Sequence, residues 1–278
     1  INSNLVDYNT DTLKSSIKFS HEKEDMFLGI NASVYETLKD TYNDKYEFIL
    51  PEITFDKNLF SNNDYGNLDL QTNLKVHNYD TNKLTSFVVN DLNWNFRESN
   101  FRSGLKGKIL GNFKNINYEA KNVDPYKEEF TSEFYGAIGY LASIDLQKKR
   151  GYGSHLLTPK LFLRYAPGSM RKEPDGFRLN PISAFNINRL ENKNNFETGL
   201  SSALGFDYKI KKGNSELDFS LAQVISEKEN KRMHSKTGLD EKLSDLVGSA
   251  NYNINDRISI NYNFALDQNY SDLNYNEV

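Results

Sequence analysis

Strict alternation of apolar and polar residues, sustained over runs of about 11 to 17 residues, constrains this chain more than any other feature. The clearest run sets Phe196, Thr198, Leu200, Ser202, Leu204, Phe206, Tyr208 and Ile210 against Glu197, Gly199, Ser201, Ala203, Gly205, Asp207 and Lys209. A second sets Ile258, Ile260, Tyr262, Phe264 and Leu266 against Arg257, Ser259, Asn261, Asn263 and Asp267. A third sets Leu68, Leu70, Leu74 and Val76 against Asp69, Gln71, Asn73, Lys75 and His77. An α-helix would scatter each apolar set around its circumference, whereas a strand places it on one face.

Further strands are predicted at 13–21, 25–37, 46–57, 84–97, 104–120, 130–147, 156–166, 182–190, 215–227 and 246–255. With the three above, that makes about thirteen. Many exceed the roughly 3 to 10 residues usual in soluble sheets. Nothing longer than a turn or two of helix is expected, and no domain boundary stands out, so 1–278 reads as a single domain. Short polar joints such as Lys211-Lys212-Gly213-Asn214 suit hairpins. The longer, charged joints 168–180 and 226–245 are expected at the extracellular end of a barrel, where long loops gather.

Composition fits this reading. Only 37% of residues are hydrophobic, and no apolar run approaches the roughly 18 residues of a membrane-spanning helix. Barrel strands need only about 9 to 11 residues, half of them polar because they face a lumen. The 17 Tyr and 18 Phe, with Trp94, Phe96, Phe130, Phe134 and Tyr140 towards strand ends, suit aromatic girdles at two membrane interfaces. The fold class expected is therefore all-β: a segment of an antiparallel transmembrane β-barrel built of long amphipathic strands.

Chemistry is sparse. Net charge is -4 with cations dispersed, which gives no footprint for nucleic acid. With no Cys, thiolate zinc sites and disulfides within the chain are excluded. His21, His77, His155 and His234 stand apart from one another and from any metal spacing. Gly151-Tyr152-Gly153 precedes a strand rather than a helix and reads as a turn, not a phosphate loop. Ser244-Asp245 has no candidate base. No enzyme and no cofactor is expected. Asp69, Gln71, Asn73, Lys75, His77, Asn261, Asn263 and Asp267 are candidate lumen-facing positions, as a solvated wall or as the lining of a path for a sugar-rich or anionic substrate. Pro51 and Pro159 lie inside strand-like runs, so either a strand starts after each or the ladder breaks there.

Those proline runs carry a resemblance. Tyr46-Glu47-Phe48-Ile49-Leu50-Pro51-Glu52-Ile53 and Leu157-Thr158-Pro159-Lys160-Leu161-Phe162-Leu163-Arg164-Tyr165-Ala166-Pro167 are similar to early and central barrel strands of the LptD family. Arg189-Leu190, followed by Asn195-Phe196-Glu197-Thr198-Gly199-Leu200 and Leu204-Gly205-Phe206-Asp207-Tyr208, resembles its next block. Leu221-Ala222-Gln223 stands at its Gly-Gln strand with Ala222 in place of Gly. Thr237-Gly238-Leu239, with Thr237 for Ser, and Leu243-Ser244-Asp245-Leu246-Val247-Gly248 follow in family order.

The resemblance implies part of a barrel that has twenty-six strands in the family, with a periplasmic jellyroll, the disulfide cysteines, the C-terminal strands and the lateral seam outside these residues. It implies non-catalytic assembly of lipopolysaccharide into the outer leaflet of the outer membrane. The partners it implies are lipopolysaccharide, an LptE-like plug lipoprotein, periplasmic bridge proteins acting through the jellyroll, and outer-membrane lipids. Carried over by motif, Pro51, Pro159, Arg164, Tyr165, Gln223, Ser244, Asp245 and Gly248 are wall and loop positions. A porin or ligand-gated importer passing small solutes is the alternative that keeps the architecture.

Overall fold

The computed structural model describes residues 11–39, 45–151, 153–174, 176–255 and 257–278. Among them run fifteen strands: β1 (Thr12–Lys23), β2 (Met26–Thr37), β3 (Tyr46–Asn62), β4 (Gly66–Asp80), β5 (Lys83–Asn95), β6 (Ser99–Asn100), β7 (Leu105–Lys121), β8 (Thr131–Ile144), β9 (Leu146–Arg150), β10 (Gly153–Ala166), β11 (Gly199–Lys212), β12 (Ser215–Ser226), β13 (Leu246–Asn255), β14 (Ile258–Leu266) and β15 (Leu273–Glu277). Helix is limited to the 3-10 turns Ser183–Phe185 and Ser235–Thr237 among these residues. The hydrogen-bonded order is sequential, β1-β2-β3-β4-β5-β7-β8-β10-β11-β12-β13-β14-β15, with β6 on β7 and β9 on β10. The chain is all-β, one antiparallel sheet of consecutive strands.

The main path holds thirteen strands, as the alternation predicts, but through two offsetting differences. Residues 182–190 are not a strand, and β15 is one that the periodicity did not reveal. The first difference has a local cause. The Asn180 side chain accepts from the amides of Ile182 and Ser183 at 3.0 and 2.8 Å, an Asx turn that starts the 3-10 turn. Ala184 and Phe185 are then both buried, which a strand facing one side cannot arrange. The predicted run from Phe196 also begins later, at Gly199, and 130–147 is divided into β8 and β9.

The proline alternatives are decided differently at the two sites. Leu50–Pro51 is cis within β3, and the β2–β3 pairing shifts register there, Asn31 facing Glu52 while Ser33 faces Ile49. Two residues of β3 thus oppose one of β2, a bulge that absorbs the missing donor. Pro159 sits inside β10 at a change of partner: β9 pairs with Gly153–Leu157 and β8 with Lys160–Tyr165. The ladder on that side is thus interrupted at Thr158 and Pro159, while Pro159 stays opposite Phe206 of β11 on the other.

The chain divides into two compact units. The first takes Ile1–Leu59, Asp69–Leu92 and Lys114–Phe134; the second takes Phe60–Leu68, Asn93–Phe113 and Tyr135–Val278. In the first, Phe87, Val89, Ile116, Tyr118 and Ala120 form a buried face, and Tyr126 from the β7–β8 connection stacks edge-on against Phe87 at 4.9 Å. In the second, the main core is Phe162, Ala203, Ala222, Val224, Val247 and Ala265 of the strands against Met170, Phe177, Leu179, Phe185, Leu190, Met233 and Leu239 of the two long connections.

Candidate functional site

The strands of the second unit have two faces of opposite character. On β10, Phe162, Arg164 and Ala166 are buried, while Leu161, Leu163 and Tyr165 between them are exposed. The register carries this across the sheet. Arg164 lies between Gly139 and Ser201, and Leu161 faces Leu204. The bare face is apolar: Ile138, Leu163, Tyr165, Leu200, Leu204, Ile225, Tyr252 and Ile260 are each exposed, Leu163 and Leu204 by 48%. A soluble sheet buries its large apolar side chains, so this polarity is inverted.

The other face is covered because its residues are small. Ser201, Ala203, Gly205, Ala222, Val224, Val247 and Ala265 leave room for the connections 167–198 and 227–245 to lie on the sheet. Leu163, Tyr140 or Phe264 at those positions would fill that space.

Charge clamps the larger connection in place. Arg189 donates to Glu197 from Nε and Nη2, and from Nη2 also to Ser201 Oγ at 2.6 Å. Arg164 donates from Nε to the Ile187 carbonyl at 2.5 Å and from Nη2 to the Glu197 carbonyl, while its Nη1 lies 3.9 Å from Glu197 Oε1. All three side chains are almost wholly buried. Burial alone would raise the Glu197 carboxyl, but the guanidiniums of Arg189 and Arg164 and their hydrogen bonds outweigh it and hold the carboxyl below its usual range. Phe196 stacks on Tyr135 at 5.8 Å beneath the Arg164 guanidinium. Glu173 accepts from Asn192 and Asn195 at 3.1 and 2.9 Å, closing a second polar knot in the same connection.

Away from these connections the covered face becomes charged. Lys160 pairs with Asp207 at 2.7 Å, and Ser220 donates to the same carboxylate at 2.8 Å. Lys209 pairs with Glu216 and Asp218 at 2.6 and 3.2 Å. The first unit has its own polar row: Asn58 donates to Asp69 at 2.7 Å, Thr54 to Asn73 at 3.3 Å, His77 meets Glu47, and Lys114 pairs with Asp91 at 2.8 Å.

The predicted positions therefore fall into several places. Asp69, Asn73 and His77 share one face of β4 with β3 partners, and alternation puts Gln71 and Lys75 on that face too. Asn261 and Asn263 face Asn251 and Ser249 on the Ala265 side of β14. Asp267 lies past the end of β14, where its Oδ1 accepts from the amides of Ser271 and Asp272. Gln223, Ser244 and Asp245 come together at the β12–β13 connection. Gln223 donates to the Ser244 carbonyl at 3.0 Å and accepts from Tyr270, while Ser244 Oγ accepts from the Val224 amide and donates to the Asp245 carbonyl. Gly248 lies under the Phe264 ring, which a Cβ would overlap. Arg164 belongs to the clamp instead, and Tyr165 points to the bare face. Pro51 and Pro159 are backbone devices, as described above.

Alternation gave Arg189, Glu197 and Glu173 no functional role, since it reads 182–190 and the run from Phe196 as strand and 168–180 as a loop; Arg189 and Glu197 enter the sequence reading only through the family-like block. The small residues alternating along β11, Ser201-Ala203-Gly205, were the available signal that something packs on that face. Among the described residues no group of three acidic or imidazole side chains is placed to hold a metal. None forms a helix long and apolar enough to cross a membrane, which leaves crossing by strands untouched.

A family model described as LptD, LPS transport system D, matches residues 1–278. The chain belongs to the LptD family. A search of curated proteins returns no match. Membership makes this LptD-family chain a transport and assembly protein rather than an enzyme, and its sequential antiparallel strands are the architecture of an outer-membrane barrel family.

Proposed function

We propose that this chain forms part of the wall of the outer-membrane translocon that delivers lipopolysaccharide to the outer leaflet. The family match over 1–278 carries the reading, and the inverted polarity of β8 and β10–β14 supports it physically. On this reading the bare row of Leu163, Leu204, Ile225 and Ile260 meets acyl chains, where every exposed apolar side chain is favourable and every backbone group must be paired within the sheet. Lumen-facing positions are proposed in each unit by itself: Asn261 and Asn263 on the covered face of the second, and Asp69, Gln71, Asn73, Lys75 and His77 on the polar row of the first. The connections 167–198 and 227–245 share one end of the second unit, because each follows a strand running the same way, and we assign that end to the cell exterior.

The partners proposed are lipopolysaccharide, an LptE-like plug lipoprotein in the lumen, periplasmic bridge proteins reached through a jellyroll domain, and outer-membrane lipids around a multi-pass barrel of which these residues are one part. Depletion of the full-length protein, with pulse-labelled lipopolysaccharide followed by membrane fractionation, tests the reading. New lipopolysaccharide held at the inner membrane or in the periplasm is the expected result. Normal delivery with altered solute uptake would replace it with a porin or importer.

A further inference from the structure

The bare face of β9–β14 changes character at its short-turn end. Pairing sets Lys148 opposite His155, His155 opposite Ile210, Ile210 opposite Leu217, Leu217 opposite Tyr252 and Tyr252 opposite Ile260, a single row on one face. Lys212, the next residue of β11 on that face, stands opposite Gly153. Charge is segregated between the two faces. The carboxylates of these strands are Asp207, Glu216 and Asp218, and alternation puts them all on the covered face, where they pair with Lys160, Lys209 and Lys211. Lys148 and Lys212 are exposed and form no ion pair among the described residues. They lie two strands apart, about 10 Å across the sheet, so their flexible stems can bring both ammonium groups to one anionic group. Beside them His155 Nδ1 and the Tyr208 hydroxyl share a hydrogen bond at 2.9 Å. Further in, the rings of Phe206 and Phe219 lie 5.9 Å apart.

An apolar wall with cations only at its rim, and no carboxylate among them, is complementary to an amphiphile with a negative head and apolar tails. Lysine stems lie along such a wall and lift their ammonium groups to headgroup level, while Tyr and His suit the depth just beneath. We infer that this rim binds an anionic phospholipid of the leaflet at the short-turn end, its phosphate between Lys148 and Lys212 and its acyl chains on Ile210, Leu217, Phe206 and Phe219. The inference rests on the reading of this face as lipid-facing. It adds a charge-selective contact that fixes the height of the wall in the membrane, on the side away from the lumen and at the end away from the long connections.

The test places photoreactive benzoylphenylalanine at Ile210, or at Leu163 near the other end of β10, in the full-length protein reconstituted into phosphatidylcholine vesicles with a minor share of phosphatidylglycerol. Radiolabel is carried by one lipid or the other, and its transfer to the protein is compared per mole of lipid. Transfer from phosphatidylglycerol is expected to exceed that from phosphatidylcholine about fivefold to twentyfold at Ile210, one lysine's contribution to two, and not at Leu163. Lys148→Gln with Lys212→Gln should bring the ratio close to unity, and Lys148→Arg with Lys212→Arg should keep it. Heat-modifiable mobility reports that each variant is folded. Equal transfer from the two lipids at Ile210, an equal excess at Leu163, an excess that survives both glutamines, or one lost with arginine as well overturns the site and leaves the lipid-facing reading standing. No label from either lipid at either position overturns both.

Discussion

Arg189 holds Glu197 through two nitrogens, Nε to Oε2 at 2.8 Å and Nη2 to Oε1 at 2.5 Å, and so closes the end of the long connection onto the strand that follows it. The pair is buried, and Arg164 completes it from the neighbouring strand. Removing one member of a buried pair strands the other charge, at a cost of about 3 to 5 kcal/mol. Glu197→Ala is therefore expected to free the connection while the ladder of β10 and β11 persists. Limited proteolysis of the purified full-length protein should gain cleavage between 171 and 194, with heat-modifiable mobility retained. Unchanged protection of that segment would show that apolar packing alone holds it.

The same carboxylate sets a pH dependence. Its folded pKa lies below the ordinary carboxylate range, so the folded state binds fewer protons than the unfolded one at mildly acid pH. Its contribution to stability is present above the unfolded pKa of about 4.3 and is lost as pH falls through the lower folded value. Thermal melting in detergent should show the 171–194 segment loosening only below about pH 4, and Glu197→Gln should abolish that acid limb while lowering stability at neutral pH.

Asp245 behaves with the opposite sign. Burial pushes its carboxyl up; the Asn274 amide pulls it down, and Asp267 and Asp240 add to the rise. A folded pKa above the unfolded one means that this group costs stability at neutral pH and that the cost is relieved as pH falls. Asp245→Asn should melt slightly higher at pH 7 and match the parent near pH 4. A lower melting temperature at pH 7 would mean that the charge itself is needed by this connection.

Leu163 and Leu204 on the bare face distinguish a membrane wall from a soluble sheet. If they face hydrocarbon, Arg at either position should cost about 2 to 4 kcal/mol in folding into lipid vesicles. Asp207→Asn on the covered face, which weakens a half-exposed pair with Lys160, should change stability by no more than about 1 kcal/mol. A cost of Arg at Leu163 and Leu204 no larger than that of Asp207→Asn would remove the lipid-facing assignment.

Much of the fold was legible because strand geometry has a period of two and each strand here keeps it. Leu161-Leu163-Tyr165 and Ile258-Ile260-Tyr262 declare one face on their own, whereas Pro51 left a strand start and a broken ladder both open until the register shift decided for a bulge. The sequence also carried the family order of motifs from Tyr46 to Gly248. The covering of the second face was not legible. Alternation places Ala203, Ala222 and Val247 on the side opposite the large apolar row, but not what lies over them. That depends on Phe177, Phe185 and Leu190 returning from a connection whose 182–190 run reads as a strand and is not one, and on Glu197 meeting both Arg189 and Arg164 while Arg189 reaches Ser201. Local sequence therefore determined strands, their faces and their succession, because backbone sterics and alternation act over neighbouring residues. Tertiary structure alone decided the clamp, because it is made where segments distant in sequence desolvate one another's charges.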